Sequence, residues 1–190
     1  MKSENSDLLK SFKGFLITDD TIKPKVQYDY PVYHLSEISA SFEYIPSLGC
    51  TLTRKRLVRK LDHSGGTAIN FISSKALIGI NVKIGKGVIV NPRSSISSDA
   101  IIGNYVLINC NTGIGHDVVI GDNCSILGSV TVNGSVKIGT DCLIGTGAGS
   151  HPKKNVGSES IIGMGAIVFN NVRSGSTVIG NPAKRLKSLC

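Results

Sequence analysis

The chain of 190 residues carries a net charge of +8 and no Trp, a length that suits one good-sized domain or a small unit joined to a larger one. Nowhere is there the apolar run of about 18 residues that a membrane-spanning helix needs, so membrane insertion is not expected. The basic residues are spread as ten Lys/Arg against eight Asp/Glu in 1–71, eight against five in 72–175 and three against none in 176–190. They are not interleaved with the aromatic platforms of single-strand binders. This distribution argues against a nucleic-acid partner and fits a mildly basic protein that handles phosphorylated small molecules.

The opening MKSENSDLLKSFKGF is polar and mixed in charge, without the apolar core of a signal peptide. The five cysteines, Cys50, Cys110, Cys124, Cys142 and Cys190, are odd in number and include no CxxC. That usage predicts a reducing, cytoplasmic location. Residues 14–20, GFLITDD, read as a buried strand ending in Asp19 and Asp20, and 45–50, IPSLGC, as a second short strand. TLTRKRLVRKLDHSGG (51–66) reads as a helix capped by Thr51 or Thr53, with Leu57, Val58 and Leu61 on one face and a stop at Gly65–Gly66. Its Arg54, Lys55, Arg56, Arg59 and Lys60 are expected on a solvated face, with a phosphate clamp as the lesser alternative.

From Ile72 to Val168 every sixth residue is Ile or Val, except Ser150, and the register never slips. The residue after the aliphatic is often Gly, and four places after it stands something small or β-branched, such as Ala100, Val106, Thr112 or Cys124. Neither a helical nor a simple strand period gives this pattern. A period of six is the signature of a parallel β-helix, in which three hexapeptides close one triangular coil. The aliphatic points into the prism and Gly is expected to relieve the turn by taking positive φ. Residues 18 apart should lie about 4.8 Å apart on successive coils. Cys124 and Cys142 are so related, and read as neighbouring core fillers. In SHPKKN (150–155) the inward positions become Ser150 and Lys154. A locally bulged face is the favoured reading there, with a basic lip of Lys153 and Lys154 meeting a phosphate as the other.

His116 stands two residues past an inward aliphatic, at an exposed corner. The positions above and below it are Ser98 and Gly134, both small, so the imidazole occupies an open slot. Asp117 follows and stacks over Asp99; either acid can fix the imidazole tautomer. The competing reading is a solvated histidine without a role. His34 and His63 lie in the N-terminal flank, and His151 stacks between Asn133 and Phe169. GNPAKRLKSLC (180–190) leaves the prism and is expected to form a short basic helix.

The run from Ile72 to Lys187 resembles the left-handed β-helix acyltransferases. Within them it is most similar to the group that acetylates nucleotide-linked amino sugars and sialic acids. The matching words are NCNTGIGHDVVIGD (109–122), IIGMGAIVFNNV (161–172) and VIGNPAKRL (178–186). The resemblance implies a general base at His116 with Asp117 as its partner, and a homotrimer with acetyl-CoA as co-substrate between two adjacent prisms. Gly134 would line the histidine side of that groove, Thr146 and Met164 the facing side, and Lys184 would also contact the coenzyme. Asn109 and Ser125 would face the acceptor. Ser125 stands where some relatives place a second histidine.

The N-terminal part is similar to the small Rossmann-like domain with which that group begins. GFLITDD, with Asp19 and Asp20 on the acceptor side, corresponds to its second strand; its first strand and glycine-rich turn have no counterpart here. The expected organisation is thus mainly β. A small truncated α/β (Rossmann-like) segment spans 1–71, a left-handed parallel β-helix 72–175, and a loop with a short C-terminal helix 176–190. The expected activity is acetyl-CoA-dependent acetylation of a nucleotide-linked amino sugar in surface-polysaccharide synthesis, by direct transfer without a metal. Acetylation of a sugar or sialic-acid hydroxyl, a serine-type O-acetyltransferase and an inactive β-helix scaffold are the alternatives. A metal-dependent hydratase would need three converging histidines, and an ice-binding face would need aligned threonines. Neither pattern is present in the prism.

Overall fold

The computed structural model describes residues 12–17 and 30–186. The N-terminal flank holds β1 (Phe15–Ile17), β2 (Val32–His34), one 3-10 turn (Leu35–Glu37), β3 (Phe42–Tyr44), α1 (Thr51–His63) and β4 (Gly66–Ala68). β1 pairs with β2 and β3 with β4, both parallel, as two separate two-stranded sheets. The flank is therefore α/β, but among the described residues it does not form one nucleotide-binding sheet. Leu35, Tyr44, Val58, Leu61 and Ala68 make its small core, with Leu57 packed against it. β3 lies at 42–44, directly before the expected strand IPSLGC, which instead runs irregularly into the helix. The helix begins at Thr51 as expected, yet its N-cap is Cys50 and no side chain caps it.

From Phe71 onward the chain winds as a three-faced prism. The first face carries Phe71–Ile72, Ile89–Val90, Leu107–Ile108, Ser125–Ile126, Leu143–Ile144, Ile161–Ile162 and Thr177–Ile179. The second carries Leu77–Ile78, Ser95–Ile96, Gly113–Ile114, Thr131–Val132, Gly149–Ser150 and Ile167–Val168. The third runs from Lys83–Ile84 through Ile101–Ile102, Val119–Ile120 and Lys137–Ile138 to Asn155–Val156. All neighbours are parallel, and pairs such as Ile102 with Ile120 and Ile126 with Ile144 keep the predicted spacing. The last coil is tighter: Ile162 pairs with Val178 and Val156 bridges Val172.

The core is a column of inward residues, with Ile96, Ile102, Ile108, Ile114, Ile120 and Ile126 almost wholly buried. Each such side chain contributes about 1.5–3 kcal/mol on leaving water. Cys124 and Cys142 are buried free thiols within this column. Each donates to a carbonyl of the next coil, Cys124 to Gly139 at 2.9 Å and Cys142 to Gly157 at 3.1 Å.

Two expectations about the turns are corrected. Positive φ falls not on the glycine after the aliphatic but two places later, at Asn81, Asp99, Asn111, Asp117, Asn123 and their equivalents. Asn and Asp suit that left-handed conformation because their short polar side chains tolerate it. The glycines serve close stacking: a Cβ on Gly121 would stand 2.8 Å from the Gly139 carbonyl carbon, and one on Gly115 2.6 Å from the Gly134 nitrogen. Residues 150–155 are not bulged either. Lys153 takes the ordinary left-handed corner at φ 60°, and the strands on both sides keep their ladders.

The chain does not end in the expected helix within its described part. Lys184–Arg185 forms a strand that turns back antiparallel on Val178–Ile179 and closes the first face.

Candidate active site

Gly113–Ile114 ends the second face, and the chain turns at Gly115–Val118 before the third. His116 projects from that edge. Its Nδ1 lies 2.7 Å from Asp117 Oδ2, with side chains 65% and 59% exposed, so both stay open to a reactant. Asp117 is thus the acid that holds the ring; Asp99 instead accepts from Asn81 at 3.2 Å. With Nδ1 engaged, the imidazole has Nε2 free, and Nε2 lies over Gly134 on the following coil. A Nε2 lone pair, fixed in direction by the carboxylate at Nδ1, is the arrangement of a general base.

Beyond Gly134 the same edge opens into a hollow lined by Asn133, His151, Pro152, Ile167 and Phe169. The His151 and Phe169 rings lie 6.1 Å apart, as their stacking positions predict. Ser150, the break in the aliphatic column, accepts from the Asn133 nitrogen at 3.1 Å, while Asn133 Nδ2 donates to the Ser150 carbonyl at 2.6 Å. The sequence pattern marks this stretch as irregular; that it lines a hollow, with Pro152 one coil beyond Gly134, follows only from the three-dimensional stacking.

The other expected site residues are distributed over the prism. Thr146 and Met164, both exposed, follow the first face and lie one coil apart on the opposite edge of the second face from His116. The Gly165 nitrogen donates to the Thr146 carbonyl between them. Lys184, exposed, stands at the C-terminal end of the first face. Asn109 is on the Thr146 edge too, its Oδ1 accepting from Asn91 Nδ2 at 3.1 Å and from the Cys110 nitrogen at 2.8 Å. A single prism therefore does not bring these residues to His116. Asp19 and Asp20 lie outside the described residues.

Ser125 does not stand where an acceptor could meet it. It is fully buried, donating to the Gly49 carbonyl at 2.7 Å and accepting from Arg54 at 2.8 Å, so it cannot face an acceptor. Arg54, expected in solvent, is instead 1% exposed beneath α1. Lys55 stays half-exposed, but its Nζ reaches the prism 2.7 Å from Asp141. A run of basic residues along a helix gives no sign of which of them meets the prism.

Among the described residues, no three His, Cys, Asp or Glu side chains converge to hold a metal ion. No helix there is long and apolar enough to cross a membrane.

Residues 99–134 match the family model described as bacterial transferase hexapeptide (six repeats), a span that contains His116, Asp117 and Gly134. The fold is similar to a histidine-to-asparagine variant of perosamine N-acetyltransferase from Caulobacter crescentus, in complex with CoA and GDP-perosamine. That match has 27% identity over 91% of this chain and 85% of the other, with a TM-score of 0.83. WeeI from Acinetobacter baumannii AYE matches at 29% identity, 91% and 85% coverage and a TM-score of 0.85. The acetyltransferase domain of PglB from Neisseria gonorrhoeae FA1090 matches at 26% identity, 95% and 91% coverage and a TM-score of 0.85.

By its repeats and its fold the chain is an acyltransferase. Its prism is accordingly of the left-handed β-helix type. Comparison with curated protein sequences finds no match.

Proposed function

We propose that this acyltransferase moves the acetyl group of acetyl-CoA to the amine of a nucleotide-linked amino sugar, with His116 as general base. The observation that carries the reading is the Asp117–His116 pair, which leaves Nε2 exposed over Gly134. The similarity to an N-acetyltransferase described with CoA and GDP-perosamine supports nitrogen as the acceptor atom.

The amine attacks the thioester carbonyl while Nε2 takes its proton, and Asp117 steadies the imidazolium. Backbone N–H groups at the prism turns stabilise the oxyanion. Collapse of the tetrahedral adduct forms the amide and breaks the C–S bond, and the imidazolium returns its proton to the departing thiolate. No acyl-enzyme and no metal takes part.

His116 with Gly134, and Thr146 with Met164 and Lys184, occupy different edges of one prism. They act together where the His116 edge of one copy faces the Thr146 edge of another. The reading therefore includes a homotrimer with acetyl-CoA between adjacent prisms. Asn109 approaches the acceptor from the facing copy, and Asp19 and Asp20 contact it from the N-terminal segment. Residues 1–71 serve as the acceptor-holding unit, 72–175 as the transferase prism and 176–190 as its closing segment. The location is cytoplasmic, where acetyl-CoA and nucleotide sugars are made, and the product feeds surface-polysaccharide synthesis.

The test is mass spectrometry of nucleotide-linked amino sugars after incubation with acetyl-CoA. A gain of one acetyl group that survives mild alkali is the amide predicted here. An alkali-labile product would mean an ester and a hydroxyl acceptor.

A further inference from the structure

The outer positions of the first face form an apolar stripe, Ile89, Leu107, Leu143 and Ile161, interrupted by Ser125. Because successive coils repeat, the outside of the prism offers α1 nearly equivalent seats about 4.8 Å apart. Apolar contact alone does not choose between such seats; a buried polar contact can.

Arg54 makes that contact. Its Nε donates to Asn123 Oδ1 at 3.0 Å, Nη1 to the Leu48 carbonyl at 2.6 Å and to Ser125 Oγ at 2.8 Å. Its Nη2 donates to the carbonyls of Asn123 at 2.8 Å and Cys124 at 3.0 Å. Five bonds in a planar fork use the whole donor set of a guanidinium, which a lysine cannot reproduce. No acceptor among them is a carboxylate. The negative charge sits one step away, where Asn123 Nδ2 donates to Asp141 at 2.7 Å and Lys55 pairs with the same acid. The seat is specific: the positions one coil to either side of Asn123 are Tyr105 and Asp141, and those beside Ser125 are Leu107 and Leu143. Asn123 and Ser125 belong to the coil that His116 begins.

We infer that Arg54 is a positioning residue that registers the N-terminal segment, with the acceptor it holds, against the coil of His116. The inference rests on the proposed acetyl transfer. The apolar replacement Arg54→Met keeps the stripe's contacts and removes the register.

Steady-state kinetics and cross-linking test it together. In Arg54→Met the acceptor KM rises tenfold or more while the acetyl-CoA KM stays within twofold. A zero-length carbodiimide cross-link between Lys55 and Asp141, formed in the native protein, is lost or moves one coil to Glu159. The double variant Arg54→Met/Ser125→Leu, with an unbroken stripe, guards against a merely unfolded single variant. It recovers thermal stability but not the acceptor KM. An acceptor KM that is unchanged in the variants, or restored in the double variant, overturns the inference, as does an intact Lys55–Asp141 cross-link in Arg54→Met. If the native enzyme acetylates no amino sugar, the proposed function fails and the acceptor claim fails with it. A failure of the inference alone leaves native turnover intact.

Discussion

The His116 imidazole lies against the backbone of Gly134, so closely that a Cβ at Gly134 would stand 2.5 Å from Nε2. Glycine there is a condition on the base's position and not a concession to the turn, since Gly134 has no positive φ. Gly134→Ala should therefore leave the prism folded and swing the ring off its place over the next coil. The expected result is a loss of kcat of about tenfold or more, equivalent to about 1.4 kcal/mol of transition-state stabilisation. Circular dichroism should be unchanged.

Asp117 has two duties that a pair of substitutions separates. It fills a left-handed corner at φ 57° and holds His116 Nδ1. Asparagine tolerates that corner, so Asp117→Asn should retain stability and lower turnover by at least about tenfold. Asp117→Ala should lose turnover and also about 1 kcal/mol of stability, readable by denaturant titration.

The coil glycines make a stability prediction remote from the site. At Gly121 an added methyl meets the backbone of the next coil at 2.8 Å, and backbone cannot rotate away. Gly121→Ala should destabilise by about 1–3 kcal/mol, the usual range for overpacking. Its KM for acetyl-CoA should not move.

The Lys55–Asp141–Asn123 cluster predicts a pH dependence. Burial works to raise the Asp141 pKa, but the Lys55 and Asn123 bonds outweigh it and hold the carboxyl below its ordinary value. A depressed folded-state pKa means stabilisation that is present above the unfolded value of about 3.9 and is lost as pH falls through the folded one. Thermal denaturation from pH 7 downward should show this loss in the native protein. Asp141→Asn should start less stable at pH 7 and lose less on acidification.

The prism was legible because its period is set by packing: an aliphatic every sixth residue leaves one way to close a core. His116 at an exposed corner followed from the same count. The role of the glycines did not follow, because glycine serves both positive φ and close approach, and only neighbouring coils distinguish the two. The Ser125–Arg54 contact is not legible in the sequence because the two lie on different elements, 71 residues apart, and neither residue type announces the other. The strand at Lys184–Arg185 is hidden in the sequence because its pairing partner, Val178–Ile179, is supplied by the fold and not by local propensity.

In the proposed reaction His116 removes the acceptor's proton. The most direct measurement is thiol release from acetyl-CoA with nucleoside-diphosphate-linked 4-amino sugars, comparing the native protein with His116→Ala. If His116 is the base, native turnover falls by about 10²–10⁴ in the variant, with acetyl-CoA binding preserved. Equal turnover in both proteins would contradict it.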